Sequence, residues 1–350
     1  MKIKFLLGVL AIGAVTALNS CKDDEVPVAG INFELAEQEV QESDGTVASF
    51  HPDEADDGVG RVIKAKLVFD IPLAGDVTLK FDVDGTARQT ASADDNIDFE
   101  IDAEGDNLTV DGTNVTILKG STEASFNVRV YEDFVMELTE DSEFNEDDIP
   151  YETVELQLES IVSGPGKLGE AIEHVVKILE DDAYVYLAWG VNNTDDPGDV
   201  NMDLLIYING NFAGGSAYST TASPYEIVTI PGGYPTRTFG LSYVYKAGTA
   251  NDVDFLAEIF NFGGTLTTSG GTSNPLLQFN GSYTLQNINN YNSTTPSSNI
   301  TQTMVKNGLN YTGVTALTIP ATGSREGAKV SRESILRRMG SARPLIKTLR

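Results

Sequence analysis

Ile63-Lys64-Ala65-Lys66-Leu67-Val68-Phe69 decides the fold. Ile63, Ala65, Leu67 and Phe69 share one parity, and Lys64, Lys66 and Val68 share the other. A period of two with one apolar face is the pattern of a strand half-covered by a core. The pattern recurs further along the chain. Val77, Leu79, Phe81 and Val83 alternate with Thr78, Lys80 and Asp82; Ala124, Phe126, Val128 and Val130 with Ser125, Asn127 and Arg129; Val154, Leu156 and Leu158 with Glu155, Gln157 and Glu159. Turn-forming residues punctuate these runs at Pro72 to Gly75, Asp84-Gly85, Asp111-Gly112 and Lys119-Gly120. Further on, Val185, Leu187 and Trp189 alternate, as do Met202, Leu204, Ile206 and Ile208, then Phe239, Leu241, Tyr243 and Tyr245. Asn209-Gly210 predicts a two-residue hairpin turn. No apolar stripe of helical period is sustained. Many short strands with such punctuation predict an all-β chain built as two tandem β-sandwiches.

Charge divides the chain as sharply as periodicity unites it. The 350 residues carry a net charge of −29. Residues 22–182 hold 42 acids against 10 bases, and residues 183–324 hold 8 against 3. Residues 325–350 reverse the sign, with 8 bases and 2 acids. A chain without a basic face outside its tail is no nucleic-acid binder. The change in composition near Asp182 places the domains at 31–182 and 183–323. The second is richer in Gly, Asn, Ser, Thr and Tyr, with long loops expected over 264–299. Residues 324–350 form a basic tail, expected to be disordered apart from helical spacing over Ser331 to Met339.

The amino terminus has its own logic. Met1-Lys2-Ile3-Lys4 is basic, and Phe5 to Leu18 is apolar but too short to span a bilayer. Cys21 is the sole cysteine, so no intramolecular disulfide can form. Leu18-Asn19-Ser20-Cys21 resembles the lipobox of bacterial lipoproteins. That resemblance implies a signal peptide over 1–20, lipidation of Cys21, and a lipidated tether over 21–30. Lys22-Asp23-Asp24-Glu25 resembles the acidic tag that sends lipoproteins of Bacteroidota to the outer-membrane surface.

Acids also cluster where they invite a ligand. Val175 to Leu179 reads as a strand ending in Glu180-Asp181-Asp182. Adjacent carboxylates repel unless a cation sits among them, and an all-oxygen set suits Ca²⁺. Val40-Gln41-Glu42-Ser43-Asp44-Gly45, Asp76 to Leu79 with Asp84 to Ala87, Asp98-Phe99, Val128 to Asp133, Tyr151 to Leu156 and Ile178 to Asp182 together resemble a Calx-β domain, a calcium-binding, immunoglobulin-like sandwich. The resemblance implies Glu42, Asp98, Glu132, Asp133, Glu152, Glu180, Asp181 and Asp182 as ligands of one or two ions. Residues 51–60 and the long acidic stretch 134–150 depart from the family pattern.

The second domain resembles the pre-peptidase C-terminal type of sandwich, through Asp199 to Tyr207, Pro224 to Val228 and Phe239 to Val244. A jelly-roll-like architecture is expected. Asp195, Asp196, Asp199 and Asp203 form either a second cation site or a solvated turn. The two histidines, His51 and His174, fit no hydrolytic or metal arrangement, and no nucleophile elbow or phosphate-cradling loop occurs. Tyr184, Tyr186, Trp189, Tyr207, Tyr218 and Tyr234 could stack on sugars, although alternation assigns half of them to the core. The leading expectation is a non-catalytic, calcium-binding module for adhesion or scaffolding. The alternatives are a glycan-binding accessory lipoprotein of an uptake system, whose partner is a glycan or another surface protein, and a hydrolase.

Overall fold

The computed structural model describes residues 26–45, 60–87, 89, 97–132, 151–191, 199–216, 225–249, 252–284 and 300–318. Among them every regular element is a strand. Cys21, the lipobox, Asp133, Asp195, Asp196, Tyr218, His51 and the basic tail lie outside the described residues.

The first eleven strands are β1 (Ala29–Phe33), β2 (Glu37–Gln41), β3 (Arg61–Phe69), β4 (Val77–Gly85), β5 (Phe99–Glu104), β6 (Leu108–Asp111), β7 (Asn114–Ile117), β8 (Glu123–Val130), β9 (Tyr151–Ser163), β10 (Gly166–Leu168) and β11 (Glu173–Leu179). They form a five-stranded sheet, β10-β1-β3-β8-β5, and a six-stranded sheet, β2-β11-β9-β4-β7-β6. The alternating apolar residues of both sheets meet in one core, with Leu67, Leu79, Phe126, Val128, Leu156 and Ile178 all buried. The opposite parity faces water, as at Glu155, Gln157 and Glu159 on β9. Two pairings are parallel, β1 with β10 and β2 with β11. β1 opens at Ala29, inside the stretch read as tether, because Ala29 and Ile31 are fully buried.

The next eleven are β12 (Ala183–Val191), β13 (Asn201–Ile208), β14 (Asn211–Ser216), β15 (Tyr225–Ile230), β16 (Arg237–Ala247), β17 (Asp252–Asn261), β18 (Leu266–Thr268), β19 (Ser273–Asn274), β20 (Leu276–Thr284), β21 (Ile300–Asn307) and β22 (Asn310–Val314). A four-stranded sheet, β15-β12-β17-β20, packs on a seven-stranded one, β14-β13-β16-β21-β22-β18-β19. Val185, Leu187 and Trp189 from one sheet and Leu204, Phe239 and Tyr243 from the other fill the space between. Asn209 and Gly210 both adopt positive φ, 51° and 81°, and close the expected hairpin between β13 and β14.

Residues 266–284, expected within long loops, hold β18, β19 and β20, and two further expectations need correction. Asp84-Gly85 is not a turn: both residues continue β4, and Gly85 pairs with Val154. The glycine is required by close approach, since a Cβ there would lie 2.1 Å from the Thr153 carbonyl oxygen. β12 does not alternate between core and solvent either, for Tyr184, Tyr186 and Ala188 are as buried as their neighbours. The two sandwiches are joined by Glu180, Asp181 and Asp182 alone, and that joint is buried. A joint this short presses the loops of the second sandwich onto the end of the first.

Candidate metal centre

Glu132 follows β8 after Tyr131, and Asp181 and Asp182 follow β11. The two sequence segments meet at the joint. One carboxylate oxygen from each of Glu132, Asp181 and Asp182 lies within 4.8 Å of the other two. Two oxygens bound to one Ca²⁺ at about 2.4 Å can be at most about 4.8 Å apart, so the three suit a common ion. All three side chains are at most 1% exposed.

The second sandwich completes the walls. Gly232 N–H donates to Asp182 Oδ1 at 2.7 Å, and Gly233 N–H donates to Glu132 Oε1 at 2.6 Å. From the first sandwich, Ser43 donates to Asp181 Oδ2 through both its N–H and its hydroxyl, each at 2.8 Å. Asp181 Oδ1 is buried and accepts no hydrogen bond. Glycine is needed opposite it, because a Cβ on Gly232 would fall 2.0 Å from that oxygen.

The electrostatics are unbalanced. Burial raises the Asp181 carboxyl, against the Ser43 donors and the charges of Lys306 and Arg61. Burial likewise holds Asp182 well above the usual carboxylate range, reinforced by Glu180, Glu132 and Asp181 and opposed by Gly232 N–H. Lys306 and Arg61 are the cations acting on Asp181 among the described residues, and Lys306 is the more buried. It is fully buried on β21, and its Nζ donates to the carbonyls of Gly232 (2.6 Å), Gly308 (2.6 Å) and Gly45 (3.3 Å). Burial pushes its ammonium below the ordinary lysine range, and Glu132, Asp181, Asp182 and Asp44 pull it back. Arg61 Nη1 is taken up by the carbonyls of Gln41 and Ser43. Buried carboxylates at this density are stable only as neutral acids or around a cation. The orphaned Asp181 Oδ1 and the hard oxygen donors fit a divalent cation.

Among the described residues, the other expected ligands do not belong to the three-carboxylate group. Glu180 accepts from Asp182 N–H at 2.8 Å and from the Tyr184 hydroxyl at 2.6 Å, which turns it toward the joint's own backbone. Glu42 and Asp98 are buried and Glu152 is half-buried, opposite Ile178, and none belongs to the three-carboxylate group. Ser43, Gly232, Gly233 and Lys306 were not foreseen. Lys306 carried a signal: it shares the parity of Ile300, Gln302 and Met304, which places an ammonium on the inward face of β21.

Other candidates resolve into structural roles. Asp199 accepts from Thr249 N–H and hydroxyl and holds a turn, while Asp203 is buried beside Lys246 at 3.1 Å. His174 is buried, with Nδ1 2.7 Å from the Leu35 carbonyl and its ring stacked on Phe33. Tyr184, Tyr186 and Trp189 are buried and offer no sugar platform; Tyr207 and Tyr234 are half-buried.

No family model matches the chain, and no curated protein matches it. Among solved structures, it is similar to a Bacteroides ovatus protein of unknown function, at 11% identity and a TM-score of 0.28, covering 83% of this chain and 98% of the other. It is also similar to a Bacteroides ovatus protein described as a "putative carbohydrate binding protein", at 10% identity and a TM-score of 0.24, covering 73% of this chain and 67% of that one. Both likenesses are too distant to argue from.

Proposed function

We propose that this chain is a non-catalytic surface module of the Calx-β type, carried on a lipid at Cys21, whose two sandwiches are locked by Ca²⁺ for adhesion or scaffolding. The observation that carries the reading is the convergence of Glu132, Asp181 and Asp182 at the joint, with Asp181 Oδ1 left without a donor. Their burial, at most 1% exposed, favours a structural cation over a hydrolytic centre. The ion would neutralise carboxylates from the first sandwich and the joint while the Gly232-Gly233 loop of the second holds them in place. It would therefore fix the angle between the sandwiches as well as stabilise each.

The test is thermal unfolding of residues 22–350 with Ca²⁺ or Mg²⁺ at equal ionic strength. An ion at about a hundredfold excess over Kd stabilises the folded form by about 2.7 kcal/mol. For domains of this size that is a rise of about 5–10 °C. Mg²⁺ demands shorter bonds and dehydrates reluctantly, so its effect should be much smaller. Asp181→Asn with Asp182→Asn should abolish the response. Equal shifts from the two ions, or a normal response in the double variant, would overturn the calcium reading. Anchoring is tested separately: Cys21→Ala should move the protein from the membrane to the soluble fraction. Binding of soluble oligosaccharides by the intact chain would favour the glycan-binding alternative.

A further inference from the structure

Asp181 Oδ1 is not the sole orphaned oxygen at the joint. Asn261 Oδ1 and the Tyr311 hydroxyl are also buried without a hydrogen-bond partner, and both residues are 1% exposed. Buried polar atoms pair with protein, water or an ion, so each orphan calls for a reason. Asn261 ends β17 opposite Ala183, the first residue after the joint. It shares the inward parity of Phe255, Ala257 and Ile259. Its Nδ2 donates to the Leu309 carbonyl at 2.8 Å, which leaves the Oδ1 unused. The next residue, Phe262, donates its N–H to the Asp182 carbonyl at 3.4 Å. Tyr311 lies on β22 opposite Lys306, whose Nζ is 5.8 Å from the centre of its ring. That Nζ donates to the Gly232 carbonyl, and Gly232 N–H donates to Asp182. Burial holds the Tyr311 hydroxyl well above the ordinary tyrosine range, and the charges of Asp182, Asp181 and Glu132 raise it further. The hydroxyl is therefore neutral and within electrostatic reach of all three carboxylates.

We propose that Tyr311 and Asn261 are the second sandwich's side-chain hold on the cation. A water bound to the ion donates one proton to the Tyr311 hydroxyl oxygen and the other to Asn261 Oδ1. The proposal rests on the calcium reading of the joint. Three carboxylates leave open part of a shell of about six to eight oxygens, and water is an ordinary member of such shells. A cation polarises the water it binds, which makes that water a strong donor in need of acceptors. A buried water needs about two to four polar partners, and the ion with the two orphaned oxygens meets that need. Glu132, Asp181 and Asp182 belong to the first sandwich and the joint. This water makes ion binding depend on side chains of the second sandwich as well.

The test is calorimetric titration of residues 22–350 with calcium, with melting in chelator as a second reading. Tyr311→Phe deletes the hydroxyl and nothing else. Loss of a group that orients a metal's ligand costs about 10–100-fold in affinity, so calcium binding should weaken about tenfold or more. Melting in chelator should not change, because the hydroxyl bonds nothing without the ion. Asn261→Ala should weaken calcium binding to a similar degree, and should also lower melting in chelator through loss of the Leu309 bond. Since the two residues hold one water, the double variant should bind calcium more tightly than the product of the two losses. Tyr311→Phe decides alone if Asn261→Ala does not fold. Parental calcium affinity in Tyr311→Phe overturns the proposal and leaves the calcium reading standing. Equal destabilisation of that variant with and without calcium does the same, since the hydroxyl then holds an ordinary buried water. Losses that multiply in the double variant overturn the shared water. A parent chain that binds no calcium overturns the calcium reading, and this inference with it.

Discussion

Lys306→Met removes an ammonium that ties three segments together. Its two short bonds, to Gly232 and Gly308, are each 2.6 Å, and the third, to Gly45, is 3.3 Å. Bonds from a charged donor contribute about 1.5–3 kcal/mol each, and their loss strands buried carbonyls. Against that, methionine needs no desolvation of a charge, which costs several kcal/mol for a buried ion. The net loss in calcium-free protein should be about 3 kcal/mol, which lowers the melting temperature by about 6–12 °C. The effect on calcium should have the opposite sign. Lys306 is a like charge beside the ion's place, coupled to Glu132, Asp181 and Asp182. Relief of about 1.4 kcal/mol of repulsion makes calcium binding about tenfold tighter. Scanning calorimetry in chelator gives the first quantity, and calorimetric titration with calcium gives the second. A variant as stable as the parent in chelator, or one that binds calcium more weakly, would refute the assignment of Lys306 as both latch and competitor.

Other substitutions probe the same geometry. Gly263→Ala sets a Cβ 2.7 Å from Asp181 Cβ and 2.8 Å from its Cα and carbonyl oxygen, none of which can yield without moving the joint. It should cost about 1–3 kcal/mol and make residues 180–183 cleavable in limited proteolysis. Gly85→Ala, 2.1 Å from the Thr153 carbonyl oxygen, should destabilise the first sandwich by calorimetry yet leave calcium affinity unchanged. Burial lowers the His174 imidazole from its ordinary 6.5, so the unfolded chain takes up the proton first as pH falls. That contribution is present above pH 6.5 and is lost as pH drops through 6.5 toward the folded value. The melting difference between about pH 8 and about pH 5.5 should therefore shrink in His174→Gln.

The strands were legible because their signal is local. Ala124 to Val130 carries its buried face in its own alternation, and Asn209-Gly210 carries its own turn. Burial of both faces of β12 was not legible, since tyrosines at Tyr184 and Tyr186 fit an outward parity as well as an inward one. Gly85 misled for a related reason: turn chemistry and close packing both ask for glycine, and only Thr153 across the sheet distinguishes them. Of the centre, the joint acids and Glu132 were readable as carboxylates at strand ends. What joins them was not. Ser43 reaches Asp181 across 138 residues, and Gly233 reaches Glu132 across 101. The first follows from the parallel register that sets Gln41 opposite Leu179, the second from how the two sandwiches dock, and the periodicity of a single strand encodes neither.

The parallel pairing of β2 with β11 has a mechanical consequence. The two strands are matched over five residue pairs, from Val175 opposite Glu37 to Leu179 opposite Gln41. Tension applied between the start of β2 and the end of β11 would pull β2 backward and β11 forward. Since the strands run in the same direction, that load slides one along the other, and the hydrogen bonds of the pair share it together. An antiparallel pair loaded at one end would instead peel open bond by bond. A module hung from a surface by its amino terminus and pulled through its second sandwich would resist as a clasp rather than as a zipper.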